Sequence, residues 1–165
     1  MKCILRNRQP ANCTKGIPMV PKRMIVLVSI AAVLTICAPI LAAAYNLMDP
    51  EDLKVRLDSG QPLILVDIQP VNAYREHHLY GSLATYAYPV KTELEGRSLE
   101  QAVSVYEAYR HDVVIISPRG GRAAQRAHDF LVGKGIPEEQ VFILRGGISQ
   151  WPYREMLLNI RGGCG

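Results

Sequence analysis

The chain has 165 residues, a length suited to one domain, and its composition, 48% hydrophobic and 21% charged, is that of an ordinary globular protein. The formal charge of +4 is unevenly placed: six of the nineteen Lys and Arg (Lys2, Arg6, Arg8, Lys15, Lys22 and Arg23) precede Tyr45, and all fifteen Asp and Glu follow Met48. From Tyr45 onward thirteen basic residues face fifteen acidic ones, a net charge of −2, so the high pI belongs to the leader and gives no support for nucleic-acid binding.

The first element in chain order is a leader. Lys22 and Arg23 precede an uncharged apolar run from Met24 to Ala44, about 21 residues long, that ends in Ala42-Ala43-Ala44, a small-x-small cleavage pattern. Residues 1–44 are therefore expected to be a leader and signal peptide cut after Ala44. Pro39 and the alanine ending favour cutting; uncut, residues 24–44 are long enough to anchor the chain in a bilayer. In either case the positive flank stays cytoplasmic and the domain is exported, to the periplasm or another extracytoplasmic space. Ile36 is too bulky to precede a lipid-bearing Cys37. Cys3, Cys13 and Cys37 leave with the leader, so Cys164 alone remains and no internal disulfide is expected. Within Gly162-Gly163-Cys164-Gly165, Cys164 reads as an incidental residue of a frayed tail in preference to a thiol on a flexible arm.

Residues 45–155 carry the domain and residues 156–165 a C-terminal tail. Asp49 is placed to cap a helix with Pro50 in its first position and Glu51 and Asp52 in its first turn; Leu53 and Leu57 share a face, and Gly60 suits the stop. Leu63-Ile64-Leu65-Val66 reads as a short buried strand. Ser98 with Gln101 has capping-box spacing and predicts a helix whose apolar face includes Leu99, Val103 and Tyr106. Val113-Val114-Ile115-Ile116 is a second buried strand. Arg122 to Lys134 follows as a helix with Ala127, Phe130 and Leu131 inward and Gly135 at its end, and Val141-Phe142-Ile143-Leu144 is a third buried strand. Short strands apolar on both faces, separated by amphipathic helices, predict an α/β domain: a mostly parallel central sheet with helices on both faces. Ligands of such sheets bind at the carboxyl ends of the strands.

That rule directs attention to Ser117-Pro118-Arg119-Gly120-Gly121-Arg122, between a buried strand and a helix. Adjacent glycines allow a tight loop, successive N–H groups can form an anion-binding nest, the helix start adds a favourable field, and Arg119 and Arg122 add charge. Two readings stand from the loop alone: an oxyanion cradle with a hydroxyl at its entrance, or a plain strand-to-helix turn with solvated arginines.

Three blocks, in order, resemble the rhodanese (sulfurtransferase) domain family. Val66-Asp67-Ile68 followed by Pro70, Tyr74, His78, Leu79 and Gly81 resembles the family's Asp-Val-Arg…Tyr…Gly-His-Ile-x-Gly-Ala signature. The Ser117–Arg122 loop resembles its Cys-x-x-x-x-Arg active loop. Leu144-Arg145-Gly146-Gly147-Ile148 with Trp151 resembles its Leu-x-Gly-Gly-…-Trp signature. The resemblance covers residues 49–152 and implies a single rhodanese-like domain in which Asp67, His78, Gly146, Gly147 and Trp151 support the site. On this view Asp67 orders neighbouring loops by hydrogen bonds and Trp151 packs in the core. Tyr80, Tyr86 and Tyr88, close in sequence, are expected in core or rim packing more than in a partner site.

The departures carry the functional reading. Gln69 stands where the family usually has Arg, Asn72 where it has Glu and His77 where it has Gly. Ser117 aligns with the catalytic cysteine. The family mechanism carries sulfane sulfur on a cysteine thiolate, whereas a serine hydroxyl is hardly ionised near neutrality and its oxygen makes no stable sulfur carrier. No sulfur transfer is therefore expected at Ser117. The domain also resembles arsenate reductases and dual-specificity phosphatases, which use a Cys–Arg loop one residue longer. A serine hydrolase would need a His and a carboxylate aimed at Ser117, and neither His111, before the strand, nor His128, nearly two turns down the helix, is so placed.

Three functions follow in order of preference. The first is an exported binding module, a sulfurtransferase relative without activity, whose loop residues Pro118, Arg119, Gly120, Gly121 and Arg122 hold a small oxyanion, a sulfur-containing anion or a protein partner's acidic group. The second is a structural docking domain of an envelope complex; the third is a sulfur carrier or transferase using Cys164. No metal, cofactor or nucleic acid is implied, and the membrane enters only through an uncleaved leader.

Overall fold

The computed structural model describes residues 45–159. The leader, signal-peptide and anchor expectations for residues 1–44 and the thiol expectation for Cys164 lie outside the described residues. In chain order the elements are β1 (Leu47–Met48), α1 (Pro50–Asp58), β2 (Leu63–Asp67), α2 (Val71–Glu76), β3 (His78–Leu79), β4 (Leu83–Ala84), α3 (Glu93–Arg97), α4 (Glu100–Tyr109), β5 (Asp112–Ile116), α5 (Arg122–Gly133), β6 (Val141–Leu144) and β7 (Leu157–Leu158).

The apolar runs pair as a parallel five-stranded sheet in the order β1-β6-β5-β2-β4, and β3 and β7 form a separate antiparallel pair. Register follows from burial on both faces, since a one-residue slip would exchange every side chain between layers. Ile64 lies beside Val113, Val66 beside Ile115, and Ile115 beside Ile143. These residues face one layer with Leu99, Ala102 and Tyr106 of α4 and Ala124, Ala127 and Leu131 of α5. Leu65, Val114, Ile116 and Leu144 face the other, with Met48, Leu53 of α1, Ile148 and Trp151. The sheet is thus covered on both faces, as its doubly apolar strands require.

Several local details depart from the sequence expectation. The helix expected from Ser98 begins instead at Glu100, and its N-cap position, Leu99, makes no side-chain cap. Ser98 ends the preceding helix, its hydroxyl bonding back to the Leu94 carbonyl. The capping box lies at Thr92 and Glu95: the Glu95 N–H donates to Thr92 Oγ1 (3.3 Å) and the Thr92 N–H to Glu95 Oε2 (3.0 Å). Thr92 wins because its backbone is extended (φ −111°, ψ 159°), as an N-cap requires, whereas Leu99 is already helical. Asp49 does sit at the N-cap of α1, but its carboxylate pairs with Arg145 rather than with the helix N–H groups. Tyr80, Tyr86 and Tyr88 are not core: they are 80%, 42% and 41% exposed. Tyr86 takes a left-handed backbone (φ 54°), and its ring meets Tyr74 edge-on.

Candidate functional site

The site forms where β5 ends. Asp67 and Ile116 are register partners at the carboxyl ends of β2 and β5, so the first loop residue, Ser117, emerges beside the end of β2. Ser117 is 1% exposed. Its Oγ accepts the N–H of Gly120 at 2.9 Å, and its carbonyl accepts the N–H of Ile148 at 3.0 Å. The Pro118 carbonyl accepts from the Ser149 N–H at 3.2 Å. The loop is therefore clamped by the segment that follows β6.

Glycine is obligatory where those two backbones meet. Gly120 has φ +65°, and a Cβ there would stand 2.7 Å from the Leu144 carbonyl oxygen and 2.8 Å from Gly146 N. Gly147 has φ +59°, and a Cβ there would stand 2.2 Å from the Ser117 carbonyl oxygen and 2.7 Å from the nitrogens of Arg119 and Gly120. The loop glycine and the glycine pair after β6 thus meet backbone to backbone, a contact that neither sequence block discloses alone.

Above the loop lies a pocket of about 380 Å³. Its walls include Ser117, Pro118, Arg119, Gly121 and Arg122 from the loop, Ala123 and Arg126 from α5, and Tyr88, Pro89 and Lys91 from the segment after β4. Gly120 is not in the lining, and its N–H serves Ser117, so this member of the expected nest braces the loop from within. Arg126, one turn beyond Arg122, ties the two walls together: Nε donates to the Val90 carbonyl (2.8 Å) and Nη2 to the Pro89 carbonyl (2.6 Å). Lys91, Arg119 and Arg122 are exposed and form no ion pair among the described residues. The lining contains no carboxylate and no imidazole.

The other expected site residues support the frame. Asp67 is fully buried; Oδ1 accepts the Gln69 N–H (2.8 Å) and Oδ2 the Gln69 side-chain amide (3.0 Å), whose nitrogen also reaches the His77 carbonyl (3.0 Å). Burial with only this neutral partner pushes the Asp67 carboxyl up to about 7, the Gln69 bonds opposing the shift in part. Buried His78 stacks on Tyr74 and contacts its carbonyl through Nδ1 (2.8 Å). Trp151 is 1% exposed in the core, its Nε1 donating to the Tyr153 carbonyl (2.9 Å). Gly146 (φ +71°) turns the chain beside Gln150. His128 is buried next to Tyr45, and His111 borders a separate cavity beside Leu63, so neither lines the pocket. Among the described residues no cluster of His, Cys, Asp and Glu could hold a metal ion.

Sequence reading found the loop but not Lys91, Pro89 or Arg126. Arg126 had a signal: four residues after Arg122, it must share that face of the helix. Lys91 and Pro89 had none, because only the tertiary fold brings them there.

A parallel α/β sheet with a glycine-bearing, cationic loop after its central strand defines the class. The chain belongs to the rhodanese-like domain family, which matches residues 49–152. Among solved structures it is similar to the rhodanese-like domain of an Anabaena protein, with 22% identity, TM-score 0.55, 73% of this chain and 85% of that one covered. It is also similar to the As-Sb reductase of Leishmania major, with 17% identity, TM-score 0.54 and coverage of 70% and 86%. A third is a Saccharomyces cerevisiae homolog of single-domain rhodanese and the Cdc25 phosphatase catalytic domain, with 19% identity, TM-score 0.51 and coverage of 65% and 79%. At these identities the likeness is one of fold. No curated protein sequence matches the chain.

Proposed function

We propose that this protein is an exported rhodanese-like binding module, inactive as a sulfurtransferase, whose loop holds a small oxyanion or an anionic group of a partner. The observation that carries the reading is a pocket in which, among the described residues, Lys91, Arg119 and Arg122 form no ion pair and no carboxylate lines the wall, built over the buried hydroxyl of Ser117. Ser117 Oγ accepts the Gly120 N–H, and its own O–H remains a donor that a ligand's oxygen can accept. The helix start below adds to the positive field. The resemblance places the family's catalytic cysteine at Ser117, and a neutral hydroxyl there leaves that field unbalanced where a thiolate would fill it. Serine hydrolysis, and the thiol chemistry of a reductase or phosphatase, would need a paired base for the hydroxyl or a cysteine, and neither is among the described residues of this lining. Export rests on the leader in residues 1–44, with release by cleavage after Ala44 or retention through residues 24–44.

Isothermal titration of the purified protein with thiosulfate, sulfite, sulfate and phosphate tests this reading. At least one of these anions should bind at millimolar or lower concentration, more weakly as salt is raised, and Arg122→Ala should weaken it at least about tenfold. No heat at millimolar anion, together with an unchanged melting temperature, removes the anion-binding reading.

A further inference from the structure

We infer that the pocket is built for an anionic group carried on an aromatic ring, with Tyr88 as the wall that selects the ring. The inference rests on the anion-binding reading above and names its ligand class. Three observations carry it.

The first is size. The pocket's volume of about 380 Å³ falls in the range of roughly 300–1,000 Å³ that organic ligands occupy.

The second is the state of the Tyr88 ring. Tyr45, Tyr74, Tyr86, Tyr109 and Tyr153 each have a ring neighbour, and Tyr106 lies under the Arg110 guanidinium. Tyr88 has no ring partner and no side-chain hydrogen bond among the described residues, and it is 41% exposed in a pocket wall. Tyr80, which also lacks a ring partner, lies outside the pocket.

The third is placement. The Tyr88 N–H donates to the Ile68 carbonyl (2.9 Å), anchoring it to the end of β2. On its other side the Pro89 carbonyl accepts from Arg126 Nε (3.1 Å) and Nη2 (2.6 Å). The wall is therefore fixed at both ends before any ligand arrives, so little ordering cost falls on binding. A phosphate, sulfate or sulfonate group seated at Ser117, Arg119 and Arg122 leaves its ring against Tyr88 and Pro89, where offset or edge contact between rings is favourable. Lys91 stands at the same rim and adds charge.

The test is titration calorimetry of phenyl phosphate against inorganic phosphate on the purified protein and on Tyr88→Ala and Tyr88→Phe. Phenyl phosphate should bind at least about tenfold more tightly than phosphate. Tyr88→Ala should bring the two affinities together, and Tyr88→Phe, which keeps the ring and the fold, should retain the preference. Equal binding of the two probes by the native protein overturns this inference and leaves the anion site standing. A preference that survives Tyr88→Ala also overturns it, since the ring then lies elsewhere. Failure of both probes to bind overturns this inference, and the anion-binding reading falls with it only when thiosulfate, sulfite and sulfate also fail to bind.

Discussion

Gly147→Ala should destabilise the domain by at least about 3 kcal/mol and abolish anion binding at the loop. Gly147 has φ 59° and ψ −164°, a region that essentially only glycine occupies, so any Cβ brings backbone strain. The Cβ would also stand 2.2 Å from the Ser117 carbonyl oxygen, and its neighbours are backbone atoms of the loop, not side chains that can rotate away. Relief requires the loop to move off the segment after β6. That movement breaks the bonds from Ile148 N–H to the Ser117 carbonyl and from Ser149 N–H to the Pro118 carbonyl. Gly121→Ala is the control: φ is negative, nothing lies within 4 Å of the new Cβ, and stability should change by less than about 0.5 kcal/mol. Chemical denaturation of both variants measures the difference. Equal stabilities would mean that the two loops do not meet as described.

The second large effect is a stability that falls as pH rises. The Asp67 carboxyl titrates at about 7 when folded, against 3.8 for the free side chain, because it is buried with a neutral amide for partner. The folded domain therefore holds a proton that the unfolded chain gives up between those values. The protonated group's contribution is complete below about pH 4 and is lost as pH climbs towards 7. Between pH 5 and pH 8 this single group should remove about 2–3 kcal/mol of stability. Asp67→Asn, which cannot ionise, should flatten that part of the profile, so the difference between variant and native stability should grow with pH. Urea titrations at pH 5, 6.5 and 8 read this directly. A native-minus-variant difference independent of pH would show that Asp67 is ionised throughout, with a charged partner. The residue that decides the matter is Gln69: where the family usually has an arginine, this chain has an uncharged amide.

Layer, sheet and loop were legible in the sequence because each rests on local pattern. Val113–Ile116 and Val141–Leu144 could only be strands buried on both faces, and the loop after the first of them could only lie at a carboxyl edge. Burial of Trp151 followed from the family resemblance. Helix starts were less legible: Ser98 with Gln101 and Thr92 with Glu95 both have capping-box spacing, and backbone conformation, not spacing, selects Thr92. Of the tyrosines expected in core or rim packing, Tyr86 and Tyr88 lie at the rim, where an irregular segment with positive φ at Tyr86 and Val90 leaves them partly exposed. The rest of the pocket was invisible because it is tertiary. Lys91 and Pro89 belong to one segment and Arg126 to a helix more than thirty residues later, and the hydrogen bonds of Arg126 to the Pro89 and Val90 carbonyls join the two. The meeting of Gly120 with Gly147 is of the same kind.

The most direct test of the central claim is sulfur transfer from thiosulfate to cyanide, measured on the purified protein beside Ser117→Cys. The native protein should be silent and the Ser117→Cys variant should gain turnover, since the cradle of Arg119, Arg122 and the α5 start is in place and only the thiolate is missing. Turnover by the native protein would contradict that claim.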